Sequence, residues 1–170
     1  MAMTEAWKLV LEDGTELGGE RFAGARTVSG EVVFNTGMTG YQEALTDPSY
    51  RGQILVLTYP LVGNYGVPAE ILETGLPHPF ESPAIQVLGL VVARYEPAYS
   101  HHAARCSLGD WLASANVPGL SGIDTRRLTR RLRERGTMRG WLCPADAAAD
   151  RPPDTEPAET LVARVSRPGI

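Results

Sequence analysis

Two cysteines and three histidines are the residues from which nucleophilic or metal chemistry would have to be built: Cys106 and Cys143, with His78, His101 and His102. Cys106 stands just before a helix-start signal, and a helix N-terminus lowers a thiol's pKa. A nucleophile also needs a base within hydrogen-bond reach and an oxyanion hole beside it. The chain contains no Gly-x-Cys-x-Gly or Gly-x-Ser-x-Gly elbow. His101 and His102 are consecutive, so on an extended segment they point to opposite faces and cannot both serve Cys106. The simpler expectation is a packed thiol beside two surface histidines. Nor do the five residues show a zinc-type ligand spacing. Carboxylates are scattered, with Glu12-Asp13 in a turn and Glu156 and Glu159 near the end, so no acid–base pair stands out. The expectation is a chain with no catalytic residue and no metal site.

Anion binding has two candidate carriers. Gly37-Met38-Thr39-Gly40 and Gly63-Asn64-Tyr65-Gly66 are glycine loops, but neither matches a phosphate-binding fingerprint. Turns that need positive φ explain them more simply. The stronger feature is the stretch 124–135. It holds six Arg (126, 127, 130, 131, 133 and 135) against Asp124 and Glu134. Its local charge is +4 while the whole chain carries -4, which leaves the remainder at -8. Such a helix could contact phosphate, dock an acidic partner, or simply be a solvated face. The acidic balance elsewhere argues against nucleic acid, which requires a broad basic footprint.

Other elements must position these groups. Trp7–Leu11 and Thr15–Leu17 read as a hairpin, with Asp13-Gly14 as the central pair of a two-residue turn. Glu31–Thr36 is β-branched and aromatic. Ile54–Tyr59 is continuously apolar up to Pro60, as suits a strand buried on both faces. Ile85–Tyr95 is the longest strand candidate. Tyr41–Leu45 suits a short helix with Thr39 as its cap. Four glycines and prolines within 74–84 speak against a helix there. Ser107-Leu108-Gly109-Asp110 resembles a capping box, opening a helix that runs to about Ala115. Pro118–Ile123 can hold a short strand. Asp124 then caps a helix over Thr125–Arg135, with Leu128 and Leu132 on its apolar stripe and Gly136 as its stop. Met138–Leu142 closes the series as a strand. Strands followed by mixed helix and strand predict an α/β or α+β domain.

The chain has 170 residues, 43% of them hydrophobic, enough for one domain with a real core. No apolar run approaches the length needed to cross a bilayer, and the first residues lack a secretory pattern. A reduced, cytoplasmic setting fits two cysteines without metal spacing. After Cys143 the composition changes: five of the last 27 residues are Pro. The boundaries expected are a domain over 1–143 and a Pro/Ala-rich linker or tail over 144–170, with a possible short helix from Thr155.

The run from Gly30 to Tyr50, containing Phe34-Asn35-Thr36-Gly37-Met38-Thr39-Gly40-Tyr41-Gln42-Glu43 and Asp47-Pro48-Ser49-Tyr50, resembles a known family. That family is the N-terminal domain of the small chain of glutamine-hydrolysing carbamoyl-phosphate synthase. The resemblance extends through Leu57-Thr58-Tyr59-Pro60, Gly63-Asn64-Tyr65-Gly66, Phe80-Glu81-Ser82, Trp111-Leu112 and Ile123-Asp124-Thr125-Arg126-Arg127-Leu128-Thr129, covering about 7–142. The Gly-Asn-Tyr-Gly and Phe-Glu-Ser segments are nearer the fused, pyrimidine-pathway version, though the arginine and pyrimidine pathways both stay open. The resemblance implies a small swivelling β/β/α domain with a mixed sheet and flanking helices. It implies a neighbouring glutaminase domain, with a Cys-His-Glu triad, that is absent from this sequence. It implies docking against the large chain or synthetase domains, where ATP and Mg would be used, with no cofactor in this chain. Ser49 matches the family's serine that contributes to glutamine binding in the adjoining domain; otherwise its hydroxyl would serve only its own turn. The alternative is a stand-alone binding module using helix 124–135 on an acidic partner or nucleic acid.

Overall fold

The computed structural model describes residues 5–37, 40–68, 84–100 and 104–147. Nine strands run through it: β1 (Glu5–Leu11), β2 (Glu16–Arg21), β3 (Val28–Asn35), β4 (Gln53–Leu57), β5 (Val67–Pro68), β6 (Gly89–Val91), β7 (Ala104–Cys106), β8 (Gly119–Ser121) and β9 (Met138–Pro144). Three α-helices join them: α1 (Tyr41–Thr46), α2 (Leu108–Ser114) and α3 (Thr125–Arg135). The mixed α/β character expected from the element order is present. The sheet, however, closes on itself, which the sequence did not indicate. Its order is β1-β2-β8-β6-β4-β3-β9, a barrel completed by β9 against β1. β5 and β7 form a separate two-stranded ribbon.

The barrel has two halves. β8, β6, β4 and β3 are neighbours and mutually parallel. β2, β1 and β9 complete the circle with antiparallel pairings. The two central parallel strands, β4 and β6, are buried on both sides. Ile54, Val56 and Val91 face an interior shared with Leu9, Val32 and Leu142, whereas Leu55, Leu57 and Leu90 face a second core built with α1 and α2. This accounts for the uninterrupted apolar run of β4. The interior is narrow. A Cβ at Gly140 would lie 2.6 Å from Val32 Cγ2, so only glycine lets β9 approach there.

Local signals explain most boundaries. Ser107 Oγ accepts from Asp110 N at 3.0 Å and starts α2. Asp124 Oδ1 accepts from Arg127 N at 3.0 Å and starts α3, and Gly136 ends it with φ 79°. Leu128 and Leu132 are buried in the barrel's interior core, each contributing about 1.5–3 kcal/mol of hydrophobic stabilisation.

Three expectations are corrected. The first hairpin is not a two-residue turn. Gly14 N donates to Leu11 O at 2.9 Å and Leu11 N to Thr15 O at 2.8 Å, with Gly14 at φ 90°. Glu12, Asp13 and Gly14 thus form a three-residue loop with glycine in the left-handed position. The residue preceding α1 is Gly40, at φ 79°, without a side-chain cap; Thr39 lies outside the described residues. The long strand candidate over 85–95 contains only Gly89–Val91 as β6. Just before it, Gln86 N and Leu88 N donate to Leu45 O and Gln53 O, so those groups are satisfied outside a regular ladder. The linker and helix expected after 147 also fall outside the described residues.

Candidate functional site

Both thiols sit where burial disfavours the thiolate. Cys106 lies on β7 opposite Val67, half-buried. Burial pushes its thiol above the usual range, and Asp110 adds to the shift. This is the reverse of what a helix N-terminus would do for a thiolate. Cys143, on β9, is also raised, chiefly by burial. His78, His101 and His102 lie outside the described residues. Among the described residues no three His, Cys, Asp or Glu gather into a metal-binding group, and no helix is long and apolar enough to cross a membrane.

Ser49 is displayed on a tight support. Pro48–Tyr50 form a single 3-10 turn whose cap is Asp47. Asp47 Oδ1 accepts from Ser49 N at 2.9 Å, and Asp47 O accepts from Tyr50 N at 3.0 Å. The Tyr50 hydroxyl accepts from Asn35 Nδ2 at 3.2 Å, tying the turn to the end of β3. Arg51 Nε donates to Gln86 Oε1 at 3.1 Å on the other side. The turn is therefore closed by the Asp47 side chain, not by the serine hydroxyl as a plain turn reading would have it. Ser49 is exposed, and its hydroxyl makes no hydrogen bond among the described residues.

Gly37 and Gly40 line one space together with Asn64 and Tyr65 of the second glycine loop. Gly40, Gly63 and Gly66 have positive φ, as expected of turns. Gly66 O accepts from the Tyr41 hydroxyl at 2.8 Å and from Gln42 Nε2 at 2.9 Å. Burial raises the Tyr41 hydroxyl's pKa, so it stays a neutral donor. The space between these loops is about 30 Å³, lined by Asn35, Tyr41, Asn64 and Tyr65 among others. That is room for a water rather than a phosphate.

The arginine helix borders something larger. A groove of about 490 Å³ lies beyond the carboxyl ends of all four parallel strands. Thr36 follows β3, Thr58 and Pro60 follow β4, Ala93 follows β6, and Ile123 to Arg126 follow β8. The carboxyl ends of parallel strands are where α/β proteins usually place ligands. Arg126, Arg130 and Arg133 line one wall, exposed and without an acidic partner among the described residues. Arg133 lies over the Phe34 ring at 5.2 Å. Thr125 also lines the groove; it is 5% exposed, and its hydroxyl has no partner among the described residues. Such a wall can recognise oxyanions. The helix was legible in the sequence, but the groove was not. Thr36, Thr58, Pro60 and Ala93 converge only once the strands pair.

Comparison with known proteins gives a consistent picture. The family model for the carbamoyl-phosphate synthase small chain, CPSase domain, matches residues 9–142. A carbamoyl phosphate synthase small chain of Methanopyrus kandleri is 48% identical over 158 residues, covering 92% of this chain and 40% of that one. A small chain of Bacillus cereus is 52% identical over 140 residues, covering 82% and 36%. Multifunctional protein URA2 of Saccharomyces cerevisiae is 51% identical over 148 residues, covering 84% of this chain and 7% of its own length. The chain thus spans well under half of each of these relatives.

Proposed function

The chain belongs to the carbamoyl-phosphate synthase small-chain family, and from that premise we propose that it is the docking domain of a glutamine-dependent synthase. It holds a glutaminase domain against the synthetase portion. There glutamine, bicarbonate and ATP yield carbamoyl phosphate for pyrimidine or arginine biosynthesis in the cytoplasm. ATP and Mg belong to the synthetase portion, and this chain supplies no reactive group. The swivelling β/β/α description of the family is part of the same reading, with the closed barrel as its sheet.

One observation carries the reading: the family match spans 9–142 and includes the Ser49 turn, whose hydroxyl is exposed and uncommitted. A hydroxyl held on a rigid turn is well suited to bond an amide or carboxylate presented by a neighbouring domain. Ser49→Ala is the test, in a chain assembled with its glutaminase and synthetase portions. Loss of one hydrogen bond to substrate should raise the glutamine KM roughly 2–10-fold. Synthesis from free ammonia should be unchanged, because it bypasses glutamine. Equal effects on both nitrogen sources, or no effect on either, would overturn the assignment of Ser49. A Cys106 acting as a nucleophile would be alkylated rapidly near pH 7. The raised pKa predicts slow labelling instead.

A further inference from the structure

We infer that the groove at the carboxyl ends of β3, β4, β6 and β8 is the docking slot for an acidic, extended segment of the synthetase partner. Arg126, Arg130 and Arg133 would clasp its carboxylates. This rests on the docking reading above and assigns it a surface.

The three arginines sit at positions i, i+4 and i+7 of α3, one stripe about 10 Å long. Successive members are about 6 Å and about 4.5 Å apart along the axis, of the same order as the ~6.6 Å between alternate residues of an extended strand. An extended segment with acids at alternate positions therefore matches the stripe better than a single compact anion. A phosphate seated on the first turn of α3 would meet the carboxylate of Asp124, which already occupies Arg127 N. A long nucleic acid would meet a molecule whose other residues sum to -8. That acidic remainder does not neutralise the stripe either, since these three arginines have no acidic partner among the described residues. Thr125, which also lines the groove and whose hydroxyl has no partner among the described residues, adds a short polar contact beside the arginines. Guanidinium forks give such a slot geometric selectivity for carboxylates.

The test pairs two binding measurements on the full chain. The first is affinity for the cognate synthetase chain, for the native protein and R126E/R130E/R133E, with R127E/R135E as a control of charge on the same helix. The groove variant should lose about 100-fold and the control only a few-fold, with native affinity falling as salt rises. The second uses a synthetic peptide of alternating Glu, with inorganic phosphate and single-stranded DNA as rival probes. The peptide should bind the native chain and not the groove variant. If charge reversal unfolds the chain, R126Q/R130Q/R133Q and Thr125→Val take its place, each expected to weaken both interactions several-fold. Undiminished synthetase binding by the groove variant would overturn the slot while leaving docking intact. Failure of the native chain to bind synthetase would sink the docking reading, and the peptide would then decide the slot alone. Groove-dependent binding of phosphate or DNA in preference to the peptide would also overturn it.

Discussion

Arg130 and Arg131 are neighbours on one helix with opposite commitments. Arg131 reaches back to the first hairpin: its Nη2 lies 2.6 Å from Asp13 Oδ2, and its Nε donates to the same oxygen at 2.7 Å. Arg130 faces the groove and has no acidic partner among the described residues. One arginine fastens the end of the barrel to the β1–β2 loop. The other spends its charge on nothing within the described structure. Leu128 and Leu132, on a third side, bury themselves in the barrel's interior core. A helix of eleven residues thus separates holding the fold from presenting charge, and substitutions should sort by side.

The largest effect should come from the buried side. Leu128→Ala would leave a hole in the barrel's interior core and cost about 2–5 kcal/mol, lowering Tm by on the order of 10 °C. Calorimetry that found a change no greater than for a surface residue would show that α3 does not seal the barrel. The helix start comes next. Asp124→Ala removes the acceptor for Arg127 N and should cost about 1 kcal/mol, readable in urea unfolding at unchanged m.

The smallest effect separates the neighbouring arginines most cleanly. Partial burial would raise the Asp13 carboxyl's pKa, but hydrogen bonds from Thr15 and the Arg131 guanidinium outweigh it and hold the group down at about 2. A depressed carboxylate adds stability that is full above its unfolded value of 3.8 and fades as pH falls toward about 2. Arg131→Ala should therefore lower Tm by a degree or two at pH 7, as exposed ion pairs go, and the difference from native should shrink below pH 4. Arg130→Ala should leave Tm unchanged at every pH. If both variants behaved alike, the division between the two sides would fail.

How much of this was legible in the sequence follows the range of each interaction. Asp124, Gly136 and the Leu128/Leu132 stripe act within one helix, and they located α3 correctly. The unbroken apolar run of β4 announced burial on both faces. Barrel closure depends on pairings such as Leu9 with Leu142 and Glu20 with Ser121, which no local pattern encodes. The overlong strand at 85–95 had the same origin: apolar residues fill that stretch, but burial there is shared among a short ladder and bonds to Leu45 and Gln53. Ser49 could be singled out by resemblance, yet the division of labour in its turn, side chain of Asp47 closing and serine presenting, emerged only from geometry.

Trp7 on β1 stands directly across from Pro144 on β9. Polypeptide enters and leaves this barrel side by side. Such a bead can be spliced into a longer chain, or have its ends fused and new ones opened elsewhere, with little disturbance to what precedes or follows it.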